Sequence, residues 1–125
     1  MTLKVAHFHL KSNDPAKTAE WWVENLGAKI PAEHQHGNSC RMDLHGIPFN
    51  VTPFFERQTR LQKYGLEHVC LSTDDIDNLV NKLEANGARL MEKSLIPSGD
   101  LKGRPAFFFE TPEGVWLEII PVPWP

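Results

Sequence analysis

An internal repeat constrains the fold of this 125-residue chain more than any other feature of its sequence. Near the start, and again just past the middle, an apolar and strand-like run contains a histidine that is followed seven residues later by an aspartate. The two pairs are His7 with Asp14 and His68 with Asp75. Because the likeness continues after each aspartate, the chain is predicted to contain two copies of one supersecondary module.

Each aspartate is followed by the pattern of a capped helix. Asp14 and Pro15 are typical of an N-cap and a first helical residue, and Gly27 is typical of the residue that ends a helix. The second copy repeats these signals, with Asp75 as the cap and Gly87 as the stop. Both modules are therefore predicted to place one helix directly after their first strand.

Three short strand candidates, separated by turn residues, follow each helix. Each module thus reads βαβββ, which predicts an α+β fold. We expect a single domain whose polar linker between the modules is a mobile connection or a lid. The predicted strands are 29–33, 39–44, 49–53, 89–92, 105–110 and 115–121; the modules are about 1–55 and 66–125, and the linker is about 56–65.

Composition excludes several classes of partner. The formal charge of −3 gives no basic surface of the kind that nucleic acid or an anionic membrane requires. No apolar stretch approaches the roughly 18 to 20 residues that cross a bilayer, and the start has no signal-peptide layout, so we expect a cytoplasmic protein. The two cysteines, Cys40 and Cys70, lie in predicted strands, which favours reduced thiols over a disulfide scaffold.

Alternation along the first strand places two histidines on one face. Successive side chains of a strand point to opposite faces, so His7 and His9 share a face. Ala6, Phe8 and Leu10 share the other face, which is apolar and is expected to pack on the helices. The histidine face is therefore expected to line a cavity.

The second module offers a histidine and a carboxylate in the same way. His68 shares its face with Cys70, and Glu118 on the last strand shares its face with Trp116. Two imidazoles and a carboxylate, from His7, His68 and Glu118, therefore arise from inward positions, and these groups are common ligands of divalent metals. Their spacing suits one ligand per strand rather than a compact sequence motif.

With these residues in view, the sequence resembles the vicinal oxygen chelate superfamily, which includes glyoxalase I, methylmalonyl-CoA epimerase, fosfomycin-resistance transferases, extradiol dioxygenases and bleomycin-resistance proteins. The resemblance covers nearly the whole chain, and stretch 107–118 is its most specific part. It implies two modules that form a cupped mixed-sheet half-barrel around a metal site, usually in a homodimer, with open positions that chelate two adjacent oxygens of a small substrate. The residues that carry it are His7, Asp14, Trp21, Trp22, Gly27, His68, Asp75, Gly87 and Glu118.

The ligand set and one further position indicate the chemistry. Two imidazoles and a carboxylate leave about three octahedral positions free, which suits Fe(II) or Mn(II), with Zn or Ni as alternatives. Glyoxalase-type and epimerase-type relatives usually carry Glu or Gln where this chain has Asn50, which is shorter and not basic. We therefore expect a dioxygenase-like enzyme, with a lyase or isomerase as the alternative. His9 is the candidate acid or base, or an additional ligand, because imidazole titrates near physiological pH.

Other residues are candidates for substrate binding. Asn50, Cys70 and Trp116 are expected to line the substrate site, although a packed thiol is the simpler interpretation of Cys70. Arg41 and Arg104 carry planar guanidinium groups that can hold a substrate carboxylate, and a surface role is the alternative for each.

Two other interpretations compete with a metalloenzyme of this superfamily. Bleomycin-sequestering members are non-catalytic, dimerise around a drug and lack the metal ligands, whereas this chain retains all three candidates. The run from His7 to His9 also matches the His-x-His pattern of a cupin. Cupins do not need the two capped helices that this chain repeats, and that feature discriminates between the two folds.

Overall fold

Each copy of the repeat folds as a strand, a helix and three further strands, so the fold class is α+β as predicted. The structure is a computed structural model that describes residues 1–36 and 38–121. It forms an N-terminal unit, His7–Glu67, and a C-terminal unit, His68–Pro125 together with Met1–Ala6. The elements are β1 (Leu3–Lys11), α1 (Pro15–Leu26), a 3-10 turn (Ala32–His34), β2 (Gln35–His36), β3 (Ser39–Leu44), β4 (Ile47–Thr52), β5 (Gly65–Thr73), α2 (Ile76–Ala85), β6 (Leu90–Leu95), β7 (Pro105–Glu110) and β8 (Trp116–Pro121).

Strand register is equivalent in the two modules. In the N-terminal unit β1 pairs in parallel with β4, which pairs antiparallel with β3, and His9 lies opposite Asn50. In the C-terminal unit β5 pairs in parallel with β8, which pairs antiparallel with β7, and Cys70 lies opposite Glu118. Strand pairing is thus both parallel and antiparallel in each module, and Asn50 occupies the position of Glu118, as the repeat predicted.

The capping residues predicted from the sequence lie at the ends of both helices. The Asp14 side chain accepts a hydrogen bond from the backbone N–H of Lys17 at 3.3 Å, and Gly27 ends α1 with a φ of +74°. Asp75 is the N-cap of α2, and Gly87 follows its end with a φ of +88°. No helix among the described residues is long and apolar enough to cross a membrane.

Each helix covers the apolar face of the strands of its own module. In the N-terminal unit, Leu10 and Val51 are buried in a cluster against which Trp22 of α1 packs. In the C-terminal unit, Ile119 is buried with Val80 of α2. The strand faces that alternation predicted for Leu10 and Ile119 are therefore confirmed.

Segment 29–33 is not the strand that was predicted. Lys29 forms a single antiparallel bridge with Asp43, and Ala32–His34 is a 3-10 turn. Pro31 has no N–H to donate to a strand ladder and precedes this turn as its N-cap. The strand that follows α1 is therefore the short β2.

The expectation that Ala6 packs on a helix is also wrong. Ala6 is fully buried in the C-terminal unit, in a cluster that includes Cys70 and Phe108 and no helix residue among its described members. Strand β1 passes from one unit to the other between Ala6 and His7. Strands also twist along their length, so residues of one face need not meet the same neighbours.

Specific contacts hold the linker 56–65, which was expected to be mobile or a lid. Arg60 forms an ion pair with Glu67 at 2.8 Å, and both side chains are fully buried. The Gln62 side chain accepts a hydrogen bond from the Phe55 N–H at 2.9 Å and donates one to the Phe55 carbonyl at 2.7 Å. These contacts tie the linker to Phe55 on one side and to strand β5 on the other.

Candidate metal centre

In the C-terminal unit a buried histidine lies beside a carboxylate. Nε2 of His68 is 3.2 Å from Oε1 of Glu118, and the two side chains are 2% and 14% exposed. Both lie on the face of the sheet opposite α2, since Leu117 and Ile119, the neighbours of Glu118 in β8, pack in the cluster of that helix. Most of the solvent exposure of this pair is therefore on the carboxylate.

The separation of the two groups fits two ligands of one cation. Donor atoms about 2.1 Å from an ion, at angles of about 90–110°, lie about 3.0–3.4 Å from each other. The observed 3.2 Å falls within this interval. Imidazole nitrogen and carboxylate oxygen suit Fe(II), Mn(II) and Zn(II), so these residues fit a divalent ion.

Apolar side chains surround the pair. Glu118 lies between Cys70 and Phe108 in the strand register, and the Phe108 ring meets the His68 ring edge-on, with centroids 5.3 Å apart. Cys70 is fully buried and shares a hydrophobic cluster with Trp116. This packing agrees with the simpler interpretation of Cys70 as a packed thiol, and the low polarity strengthens electrostatic interactions of the pair.

In the N-terminal unit two buried histidines lie side by side on β1. The rings of His7 and His9 have centroids 5.7 Å apart and planes tilted by 59°. Nε2 of His9 shares a 2.7 Å hydrogen bond with the hydroxyl of Thr52. Because a hydroxyl can donate or accept, this bond is compatible with neutral and with protonated imidazole. His9 is therefore held in place in a way that still allows it to exchange a proton.

The side chain of Asn50 is bound by Arg41. Nε of Arg41 donates a hydrogen bond to Oδ1 of Asn50 at 2.8 Å. An amide side chain ligates metals through this oxygen, so the bond to Arg41 competes with ligation. The same bond orients the half-buried guanidinium of Arg41 on the strand face that also carries His9.

Arg104, the other arginine proposed for substrate binding, is exposed in the loop before β7. Its backbone N–H donates a hydrogen bond to the carbonyl of Leu101, and its carbonyl accepts one from the N–H of Ile96. The exposed side chain agrees with the surface role given above as the alternative.

Sequence reasoning missed two polar residues of the His9 face, Thr52 and Lys11. Alternation from Asn50 and from His9 was the signal that could have found them. Lys11 is only 2% exposed, and its Nζ donates a hydrogen bond to the carbonyl of Pro53 at 3.0 Å. It escaped attention because lysine is rarely buried.

Side chains of the types that can ligate a metal therefore occur in both units. The N-terminal unit provides His7 and His9, and the C-terminal unit provides His68, Cys70 and Glu118. The three ligands predicted from the sequence are among them.

Two solved structures show the fold of this chain at low sequence identity. Methylmalonyl-CoA epimerase from Mycobacterium tuberculosis is 16% identical with a TM-score of 0.64, covering 94% of this chain and 86% of that one. The Mn(II)-bound glyoxalase from Novosphingobium aromaticivorans is 18% identical with a TM-score of 0.64, covering 94% of this chain and 37% of that one. At such identities the likeness shows the fold alone.

Sequence comparison identifies the family. The uncharacterized protein YwkD of Bacillus subtilis (strain 168) is 28% identical over an alignment of 128 residues. The alignment covers 95% of this chain and 98% of YwkD. The model of the Glyoxalase/Bleomycin resistance protein/Dioxygenase superfamily matches residues 4–119. Because this match spans almost the whole chain, the protein belongs to the Glyoxalase/Bleomycin resistance protein/Dioxygenase superfamily.

Proposed function

We propose that this protein is a metal-dependent enzyme that binds a small substrate through two adjacent oxygens at one divalent ion. The ion is held by His7, His68 and Glu118, with Fe(II) or Mn(II) favoured. The observation that carries the proposal is the 3.2 Å between His68 Nε2 and Glu118 Oε1, a separation typical of neighbouring donors around one cation. His7 is the repeat equivalent of His68 and supplies the third donor. A homodimer is expected, as for many relatives.

The bound ion supplies Lewis acidity, which stabilises negative charge on the substrate oxygens. Side chains of the N-terminal unit perform the remaining tasks. His9, hydrogen-bonded to Thr52, takes a proton from the substrate or returns one. Arg41, oriented by Asn50, binds a substrate carboxylate through its guanidinium group.

The bond between Asn50 and Arg41 favours a dioxygenase-type reaction. A site with two histidines, one carboxylate and no fourth protein ligand keeps adjacent positions open for a chelating substrate and for dioxygen. Engagement of Oδ1 of Asn50 by Arg41 supports such a three-ligand site.

A lyase or isomerase is the second candidate. The fold likeness to a methylmalonyl-CoA epimerase and to a Mn(II)-bound glyoxalase favours it. The hydrogen-bonded imidazole of His9 also suits proton transfer at a carbon next to a carbonyl. A purely drug-binding role of the bleomycin-resistance type is disfavoured by the histidine donors of both modules and by Glu118 of the second.

Titration of Mn(II) into metal-free protein, followed by calorimetry, tests the ligand set. We expect His7→Ala, His68→Ala and Glu118→Ala each to lower affinity by more than about 100-fold, the upper range for loss of an outer-shell partner. Asn50→Ala is the matched control at the equivalent of Glu118 and should keep the affinity within about 10-fold. Wild-type affinity in any of the three ligand variants contradicts the proposed set.

Two assays separate the reaction classes. Oxygen uptake by the Fe(II)-loaded protein with substituted catechols supports the dioxygenase, whereas deuterium incorporation into methylmalonyl-CoA by the Mn(II)-loaded protein in D₂O supports the isomerase. In the active assay, His9→Gln should lower turnover by at least about 100-fold while Mn(II) affinity is retained. Unchanged turnover in this variant removes His9 from the mechanism.

A further inference from the structure

A cavity of about 590 Å³ lies in the N-terminal unit, on the helix side of the sheet. One wall is the face of α1 that carries Ala16, Ala19 and Val23, which recur at helical spacing. The opposite wall includes Cys40 of β3 and Ile30 of the segment between α1 and β2. Small-molecule sites in proteins commonly have volumes of about 300–1,000 Å³ and mainly apolar walls. This cavity therefore has the size and the lining of a ligand site.

The cavity is separate from the residues of the proposed metal centre. Cys40 lies opposite Val51 in the strand register, and Val51 is buried in the core cluster against which Trp22 of α1 packs. Arg41 and Asn50, the next pair in the register, point to the other face of the sheet. Occupancy of this cavity consequently does not depend on the proposed function.

Comparison of the modules indicates what the cavity lacks. Phe107 lies opposite Ile119 just as Cys40 lies opposite Val51, so Phe107 is the repeat equivalent of Cys40. In the C-terminal unit Phe107 packs against the cluster that includes Val80 of α2. The N-terminal unit therefore has the small side chain of Cys40 where the C-terminal unit has the aromatic ring of Phe107.

The helices differ in the same way, with a smaller side chain on α1 than at the equivalent position of α2. Counting from the N-caps Asp14 and Asp75, the equivalent of the buried Val80 is Ala19, whose side chain is smaller. Burial raises the pKa of the Cys40 thiol, which keeps it neutral. Beside Cys40 and Ala19 the N-terminal module therefore leaves mainly apolar space, where the C-terminal module supplies a phenyl ring and a branched side chain.

We propose that this cavity binds a small, neutral molecule built around one aromatic ring, with a hydrogen-bonding substituent directed to the solvent. An apolar cavity of about 150 Å³ is enough to bind benzene, so the observed volume accommodates a ring with substituents. The substituent meets the polar side chains that also line the cavity, namely Glu20, Lys29, Gln35 and Ser39. Indole and phenol are probes of this class.

The test is an NMR titration of ¹⁵N-labelled protein with indole. Saturable shifts are expected at the amides of Ala16, Ala19 and Cys40, with smaller shifts at Asn50. Cys40→Phe, which copies Phe107 of the other module, should weaken indole binding at least 10-fold and raise the melting temperature.

Ala16→Leu provides a second variant that does not depend on core packing, because Ala16 is exposed and also lines the cavity. It should weaken indole binding at least 10-fold. The matched control is Ala85→Leu, the same change at an exposed alanine of α2, which should leave binding unchanged.

The outcomes separate this proposal from that for the metal centre. Saturable binding that both cavity variants weaken supports the cavity, whatever the affinity of the protein for Mn(II). The proposal is overturned by the absence of saturable shifts at millimolar indole or by equal binding in wild type and Ala16→Leu. The proposal is also overturned if a second copy of the chain fills the cavity. In that case wild type does not bind indole, and Ala16→Leu dissociates a dimer.

Discussion

The two modules have the same strand register and helix caps, but their sheet faces opposite the helices differ in chemistry. The N-terminal module presents a polar row of histidine, amide, hydroxyl and ammonium groups, whereas the C-terminal module presents one histidine–carboxylate pair and Ser72 among mainly apolar side chains. Duplication of a module therefore conserves geometry while the residues at equivalent positions acquire different tasks. The clearest example is the pair of equivalent residues Asn50 and Glu118. Asn50 accepts a hydrogen bond from Arg41, whereas Glu118 lies beside His68.

The residues that precede the two equivalent histidines differ just as strongly. Ala6 before His7 and Glu67 before His68 are both fully buried. Ala6 lies in an apolar cluster, whereas Glu67 forms the buried ion pair with Arg60. The same strand position thus supports packing in one module and anchors the linker in the other.

The largest expected effect comes from breaking this ion pair. Glu67→Ala leaves the buried guanidinium of Arg60 without its carboxylate, and loss of one partner of such a pair costs about 3–5 kcal/mol of unfolding free energy. Urea denaturation measures the change. The double variant Arg60→Met with Glu67→Leu should recover most of the stability, because an apolar pair of similar volume is often neutral. A loss below about 1 kcal/mol in Glu67→Ala would show that the pair is not desolvated.

The helix ends provide a smaller and sharper comparison. Gly27 and Gly87 both have positive φ, so Gly→Ala at either position should destabilise the protein by about 1–2 kcal/mol. The loss should be greater for Gly27→Ala, because its new Cβ would lie 3.4 Å from Cε1 of His45. Nε2 of His45 donates a hydrogen bond to the carbonyl of Leu26 at 2.7 Å, which limits its movement. Thermal unfolding of the two variants checks the order, and an equal loss would show that His45 yields freely.

The smallest expected effect is a pH dependence confined to one module. A hydrogen bond from the backbone N–H of Thr2 lowers the pKa of Asp74 below its ordinary 3.8, while the equivalent residue of the first module, Asn13, carries no charge. A lowered pKa means that the stabilisation is present above the ordinary value and is lost as pH falls through the lowered one. Asp74→Asn should therefore reduce stability slightly at pH 7 and by less at pH 2. Urea denaturation at both pH values measures this difference, and an equal loss at both excludes the charge as its origin.

Local signals predicted much of the fold. Helix ends follow from Asp14, Gly27 and Gly87, because caps and positive φ values are decided by a few neighbouring residues. The equivalence of Asn50 and Glu118 follows from alternation and from the repeat. Both kinds of signal act over short distances along the chain.

Features that depend on tertiary contacts could not be predicted from the sequence. A 3-10 turn follows Pro31 where a strand was predicted, because the apolar pattern there was too short to distinguish a strand from a turn. Ala6 packs in a cluster formed by strands that are distant in the sequence. The bond between Arg41 and Asn50 required knowledge of which strand neighbours β4. The cavity beside Cys40 required comparison of side-chain volumes beneath both helices.

The most direct test of a metal centre that takes ligands from both modules is a crystal structure with Mn(II), solved with anomalous diffraction at the manganese edge. One strong peak is expected within about 2.0–2.3 Å of a ring nitrogen of His7, a ring nitrogen of His68 and a carboxylate oxygen of Glu118. Oδ1 of Asn50 is expected still to accept its hydrogen bond from Arg41. A peak ligated by His68 and Glu118 without His7, or a fully loaded crystal with no peak at these residues, would contradict it.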